Sequence, residues 1–206
     1  GVDGEPQISL VENTGPGKME VTVIAENFEE FVKSLIKKPK EKPFDFKKLK
    51  EMILNAAQQA FVDIIDKYGK KNINAFALYT DSRGSMLSAA ANTLDHLKKC
   101  FDEFPDEEAF YTYSTTEWAY EGEDAQDLFE PISAQLSYHA SLLISNARIN
   151  IFRNKLLDTC TAGLADLKQQ GYFKEKCGHD VILMVNISDG EMTKAKQQEI
   201  INVLNP

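Results

Sequence analysis

Two carboxylates, Glu117 and Glu121, stand four residues apart in the stretch STTEWAYEGED (Ser114 to Asp124), around Trp118, the one tryptophan of the chain, and Tyr120. If the stretch is helical, such an i, i+4 pair shares one face. Two carboxyls in unlike surroundings can split their pKa values into an acid and a base, the arrangement glycosidases use. No further sugar-site aromatics accompany the pair. Ser114 with Glu117 also fits the S/T-x-x-E capping box, which accounts for Glu117 without chemistry. Trp118 and Tyr120 admit two placements: partly buried anchors of a short segment, or an exposed hot spot rimmed by polar groups.

Other catalytic patterns are missing from the sequence: it has no GxSxG, P-loop, GxGxxG or HExxH. His179-Asp180 precedes an apolar run and reads as a loop dipeptide, and Asp81, Ser82 and Arg83 read as turn residues. Asp189-Gly190 is a turn or helix-start signal. His96, His139 and His179 lack metal-ligand spacing, and Cys100, Cys160 and Cys177 form an odd, widely spaced set with no CxxC. The expectation is three reduced thiols in a cytoplasmic protein, with no metal, no cofactor and no catalytic residues.

Charge is the stronger signal. The net charge of -9 argues against nucleic acid as a direct ligand. No apolar run is long enough for a transmembrane helix, so no membrane is expected. Of the 32 acidic residues, 11 lie between Cys100 and Ala147, where there is no Lys or Arg; the other 21 accompany all 23 basic residues. Ordinary surfaces intersperse both signs. Eleven acids can be merely solvated faces and loops, but an acidic face that meets a basic partner steers association and enforces specificity. The candidate partner-binding residues are therefore Glu117, Trp118, Tyr120, Glu121, Glu123 and Asp124, and the expected partner is a basic protein.

The elements that must position these residues follow from hydrophobic periodicity and turn signals. Residues 1–36 read as strand (QISLV), strand (EVTVIA) and a helix (FEEFVKSLI) capped by Asn27, a piece too small to fold alone. The start, GVDGEPQISL, has neither initiator methionine nor signal pattern and reads as a cut edge. Residues 37–45, KKPKEKPFD, read as a linker. In residues 46–206 the pattern predicts a helix from Phe46 to Tyr68, ended by Gly69, then strands at INAFALYT and SMLSAAA around a DSRG turn. A helix in NTLDHLKKCFDEF, capped by Asn92 or Thr93, leads to a third strand, AFYTYS. Pro131 marks a helix start, a long helix covers Ile149 to Gln170, and VILMVNIS reads as a central strand covered on both faces. A last helix covers Glu191 to Leu204. The expected class is α+β: about four strands in a mostly antiparallel or mixed sheet, flanked by about five helices.

Two resemblances join these readings. From about residue 45 to 206 the chain resembles an uncharacterised bacterial family, domain of unknown function four-three-zero-three, through AFALYTD (Ala75 to Asp81), AAANT (Ala89 to Thr93), STTEWAYE, VNISD (Val185 to Asp189) and LNP (Leu204 to Pro206). That resemblance implies a role in toxin–immunity systems. Residues 1–36, through GEPQISLVENTG and EVTVIAENFEEFVKSL, resemble the end of a SUKH (Syd, Us22 and Knr4 homology) domain. That likeness implies an immunity protein neutralising a toxin, often a nuclease. Nucleases are basic because they bind phosphate. The resulting expectation is a cytoplasmic immunity-type protein that holds a basic toxin without catalysis. The alternatives are a small enzyme or ligand-binding domain with a pocket near Glu117 and Trp118, or a structural companion to a SUKH domain.

Overall fold

The computed structural model describes residues 7–15, 18–36, 43–122, 125–189 and 192–206. The chain divides into two compact units at Pro43/Phe44. In the first, β1 (Ile8–Gly15) and β2 (Lys18–Ala25) form an antiparallel hairpin, followed by α1 (Phe28–Ile36). Asn27 caps α1 as its spacing predicts, its side chain accepting from the Glu30 amide at 2.8 Å. The hairpin is apolar, and Leu10, Val11, Met19, Val21 and Val23 are all exposed.

The second unit is built on a four-stranded mixed sheet of order β5-β4-β3-β6, and the molecule is α+β. β3 (Ile73–Thr80) pairs antiparallel with β4 (Ser88–Thr93) and parallel with β6 (Ile182–Ile187); β5 (Tyr120–Glu121) adds antiparallel to β4. Side chains alternate across a strand, and here the two faces sort cleanly. Phe76, Leu78, Ala89, Ala91, Tyr120, Leu183 and Val185 join the main core with helices α2 (Phe46–Tyr68), α5 (Gln126–Leu142) and α6 (Asn146–Gln169). Ala75, Ala77, Tyr79, Ala90 and Met184 form a smaller cluster on the other face. The remaining helices are α3 (Leu94–Glu103), α4 (Glu108–Tyr113), α7 (Tyr172–Cys177) and α8 (Lys194–Leu204).

Four elements differ from their sequence pattern. AFYTYS is not a strand but α4, reached through a 3-10 turn at Pro105–Glu107. Proline sets a helical φ there, Glu107 and Glu108 suit a helix N-terminus, and β4's free edge is occupied by β5, so the β-rich composition finds no partner strand. Pro131 lies inside α5, which starts five residues earlier. β6 is an edge strand. It stays apolar because both its faces are covered, and the Asn205 side chain shields part of its edge: its amide accepts from Leu183 N–H at 3.0 Å and donates to Leu183 C=O at 2.8 Å. Finally, Phe44, the last aromatic of the linker pattern, packs against Phe46, His139 and Phe152 at centroid distances of 4.9–5.1 Å, and Asp45 caps α2 through Lys48 N–H at 3.0 Å. Residues 37–42 of that linker lie outside the described residues.

Candidate partner-binding face

The stretch around Trp118 is not helical. Thr115–Glu117 is a single 3-10 turn, Trp118 is extended, and β5 begins at Tyr120. Glu117 and Glu121 therefore share no helix face. No capping box forms either: Ser114 caps nothing with its side chain, and its hydroxyl meets that of Thr116 at 3.1 Å. The turn is held from outside instead, by His96 Nε2–H donating to the Glu117 carbonyl at 2.7 Å and the Tyr68 hydroxyl donating to the Ala119 carbonyl at 3.2 Å.

Trp118 and Tyr120 are both buried, 5% and 4% exposed, on opposite faces of the sheet. The indole lies in the Ala75–Ala77–Ala90 cluster, where small side chains leave room for it, and its Nε1 has no hydrogen-bond partner among the described residues. Of the acids around them, Glu117 is half-buried and Glu121 exposed, while Glu123 and Asp124 lie outside the described residues.

Three exposed aromatics of the acidic window lie earlier in the chain, and a fourth, Tyr138, lies later, in α5. Asp102, Glu103, Asp106, Glu107 and Glu108 are all exposed. Among them stand Phe104 (41% exposed), Phe110 (49%) and Tyr113 (56%). Tyr111 ties this group together, stacking on Phe104 at 5.6 Å and meeting Phe110 edge-on at 5.4 Å. Asn92, fully buried, anchors the segment by donating to the Tyr111 carbonyl at 3.1 Å. Trp118 and Tyr120, the aromatics that the sequence pattern singles out, are thus buried, and the exposed aromatics of residues 102–113 are others. The available signal was Pro105 followed by three acids, a helix start that turns the next residues out toward solvent.

Glu117 lines none of the three cavities described. One, of about 350 Å³, lies between the β3–β4 hairpin and the start of α5 and is lined in part by Tyr79, Ser88, Glu121 and Glu130. Burial, helped by the Glu121 charge and opposed by a hydrogen bond with Ser88, raises the Tyr79 phenol above its ordinary value. Asp81 and Asp189 end the parallel strands β3 and β6, where α/β sheets place ligand sites. Both are engaged in loop structure: Asp81 accepts from Ser85 N–H at 2.6 Å and Arg83 N–H at 3.2 Å, Asp189 from Ser82 N–H at 2.5 Å and the Ser82 hydroxyl at 3.3 Å. They are turn residues, as their sequence pattern suggests. His179 Nε2–H donates to the Ile73 carbonyl at 2.7 Å, and Asp180 pairs with Lys174 at 3.2 Å, a structural use of that dipeptide. Cys100, Cys160 and Cys177 are unbridged. Among the described residues no group of three His, Cys, Asp or Glu is placed to hold a metal ion, and no helix is long and apolar enough to cross a membrane.

Set against known proteins, residues 53–206 match one family model, described as "Domain of unknown function (DUF4303)". No curated protein and no solved structure matches the chain.

Proposed function

The chain belongs to the DUF4303 family of domains of unknown function, and from that premise we propose that it is a non-catalytic bacterial binding protein of the immunity type. It docks a basic protein toxin on the face of residues 102–113. The observation that carries this reading is the exposure of Phe104, Phe110 and Tyr113 among five exposed acids, in a window without Lys or Arg. Aromatics rimmed by polar groups supply binding energy. The local excess of acids supplies steering and disfavours acidic competitors. A nuclease toxin, basic because it grips phosphates, complements such a face. The toxin class comes from the likeness of residues 1–36 to the end of SUKH immunity domains, and the three unbridged thiols suit the cytoplasm.

The test is calorimetric titration with the basic toxin encoded beside the gene. Affinity is expected to fall as salt rises. The combined variant Asp106→Lys, Glu107→Lys, Glu108→Lys is expected to weaken it at least about tenfold, chiefly through the association rate. Salt-independent binding that the triple variant leaves unchanged overturns the proposal.

A further inference from the structure

We propose that the cavity between the β3–β4 hairpin and the start of α5 receives one basic side chain of the docked partner. Its cationic end is taken by Glu121 and Glu130 and its aliphatic stem lies against Met86, Leu87 and Phe129. This deepens the docking described above and rests on it. The cavity, about 350 Å³, is at the small end of the range for ligand sites, a size for a side chain rather than a nucleotide or an extended sugar.

The chemistry of the lining selects the ligand. Among the described residues no Lys or Arg lines the cavity, and its acids there, Glu121 and Glu130, are both exposed at the rim. The wall holds two hydroxyls, Tyr79 and Ser88, each 8% exposed and hydrogen-bonded to one another. A hydroxyl pair joined by one bond keeps acceptor capacity for a donor-only group such as guanidinium or ammonium. Ser133 is already committed, accepting from Leu87 N–H at 3.0 Å and donating to Leu87 C=O at 3.1 Å. A long basic side chain buries its methylenes on apolar surface while its head stays among polar groups, and the cavity offers both an apolar wall and acids at its rim.

Gly122 is a second, independent feature of the wall. Its φ is +68°, and a Cβ built there would lie 2.6 Å from Ser88 Oγ and 2.7 Å from the Tyr79 hydroxyl. The backbone thus passes bare against the hydroxyl pair, and only glycine fits the position without displacing it.

The experiment is an NMR titration of the full chain with N-acetyl-arginine amide and with its uncharged isostere, N-acetyl-citrulline amide. Saturable shifts at the Gly122 and Ser88 amides are expected with the arginine probe and not with citrulline. They are lost in the double variant Glu121→Gln, Glu130→Gln, whose exposed positions leave the thermal midpoint unchanged. They persist in Asp106→Lys, Glu107→Lys, Glu108→Lys. Absence of these shifts, equal binding of both probes, or indifference to the double glutamine variant overturns the pocket. Failure of the pocket leaves salt-dependent toxin binding intact. Failure of the docking face leaves toxin affinity unmoved by the triple lysine variant while the arginine probe still binds.

Discussion

Trp118 buries its indole where Ala75, Ala77 and Ala90 make room for it, and its role follows from those neighbours rather than from its own type. Trp118→Ala is expected to destabilise the unit by about 3–5 kcal/mol in urea unfolding, the range for emptying an aromatic site in a core. Trp118→Phe costs less, because Nε1 has no hydrogen-bond partner among the described residues to lose. Phe110, 49% exposed, is expected to behave in reverse. Phe110→Ala changes stability by about 0.5 kcal/mol or less, as surface substitutions do, yet weakens toxin binding measurably. Equal stability losses at the two positions would contradict the assignment of core and surface. At Gly122 the left-handed φ and the close Ser88 and Tyr79 oxygens act together. Gly122→Ala is expected to lower stability by about 1–3 kcal/mol, read from the denaturation midpoint. The acids of residues 102–108 were legible in composition alone, since charge needs no fold to be counted. Which aromatics beside them are exposed was not, because an aromatic's exposure is decided by what packs on it.

Among the elements, β6 and α4 show where local pattern stops. A continuous apolar strand marks cover on both faces but is silent about edges. The edge of β6 is partly satisfied by Asn205, the penultimate residue of the sequence as given, whose amide imitates a neighbouring strand at Leu183. Asn205→Ala leaves the buried Leu183 N–H and C=O without that partner. It is expected to cost about 1–3 kcal/mol and to speed hydrogen exchange at the Leu183 amide, while the Phe76 amide in β3 stays protected. Unchanged exchange at Leu183 would show that the amide clamp does not hold in solution. The long helices were readable from periodicity, and α6 also from the glycine that follows it, left-handed Gly171; its start at Asn146, capped by Ser145 accepting from Arg148 N–H at 3.4 Å, lies three residues before the Ile149 of the pattern. α4 was not readable, since six residues of aromatic and β-branched character carry no helical period and the competing strand position is occupied by β5.

For the whole molecule, charge and thiol burial set the response to pH and reagents. Burial pushes the Cys177 thiol from 9.0 up to about 11, with the Lys70 charge opposing, and pushes Cys160 higher still. A raised folded-state pKa means that the unfolded chain releases these protons first. The stability these two thiols contribute is therefore full below pH 9, and that of Cys177 is lost as pH rises through about 11. The thiolate is the reactive form, so at pH 8 iodoacetamide is expected to modify half-buried Cys100 slowly, and Cys160 and Cys177 only on unfolding, as read by mass spectrometry. Early labelling of Cys177 in the folded protein would refute its burial.

Composition and periodicity by themselves determined the α+β class, the two long helices of the second unit, the β3–β4 pairing and the wholly acidic window, because each depends on residues near one another in the chain. Only the tertiary structure decided that Trp118 and Tyr120 face inward, that Phe104, Phe110 and Tyr113 face out, and that Glu121 and Glu130 share a cavity with Tyr79 and Ser88. Those outcomes depend on which surfaces are taken first when distant segments pack. Tyr79 and Glu130 are neighbours of one cavity through the sheet and α5, a relation that no spacing along the chain encodes.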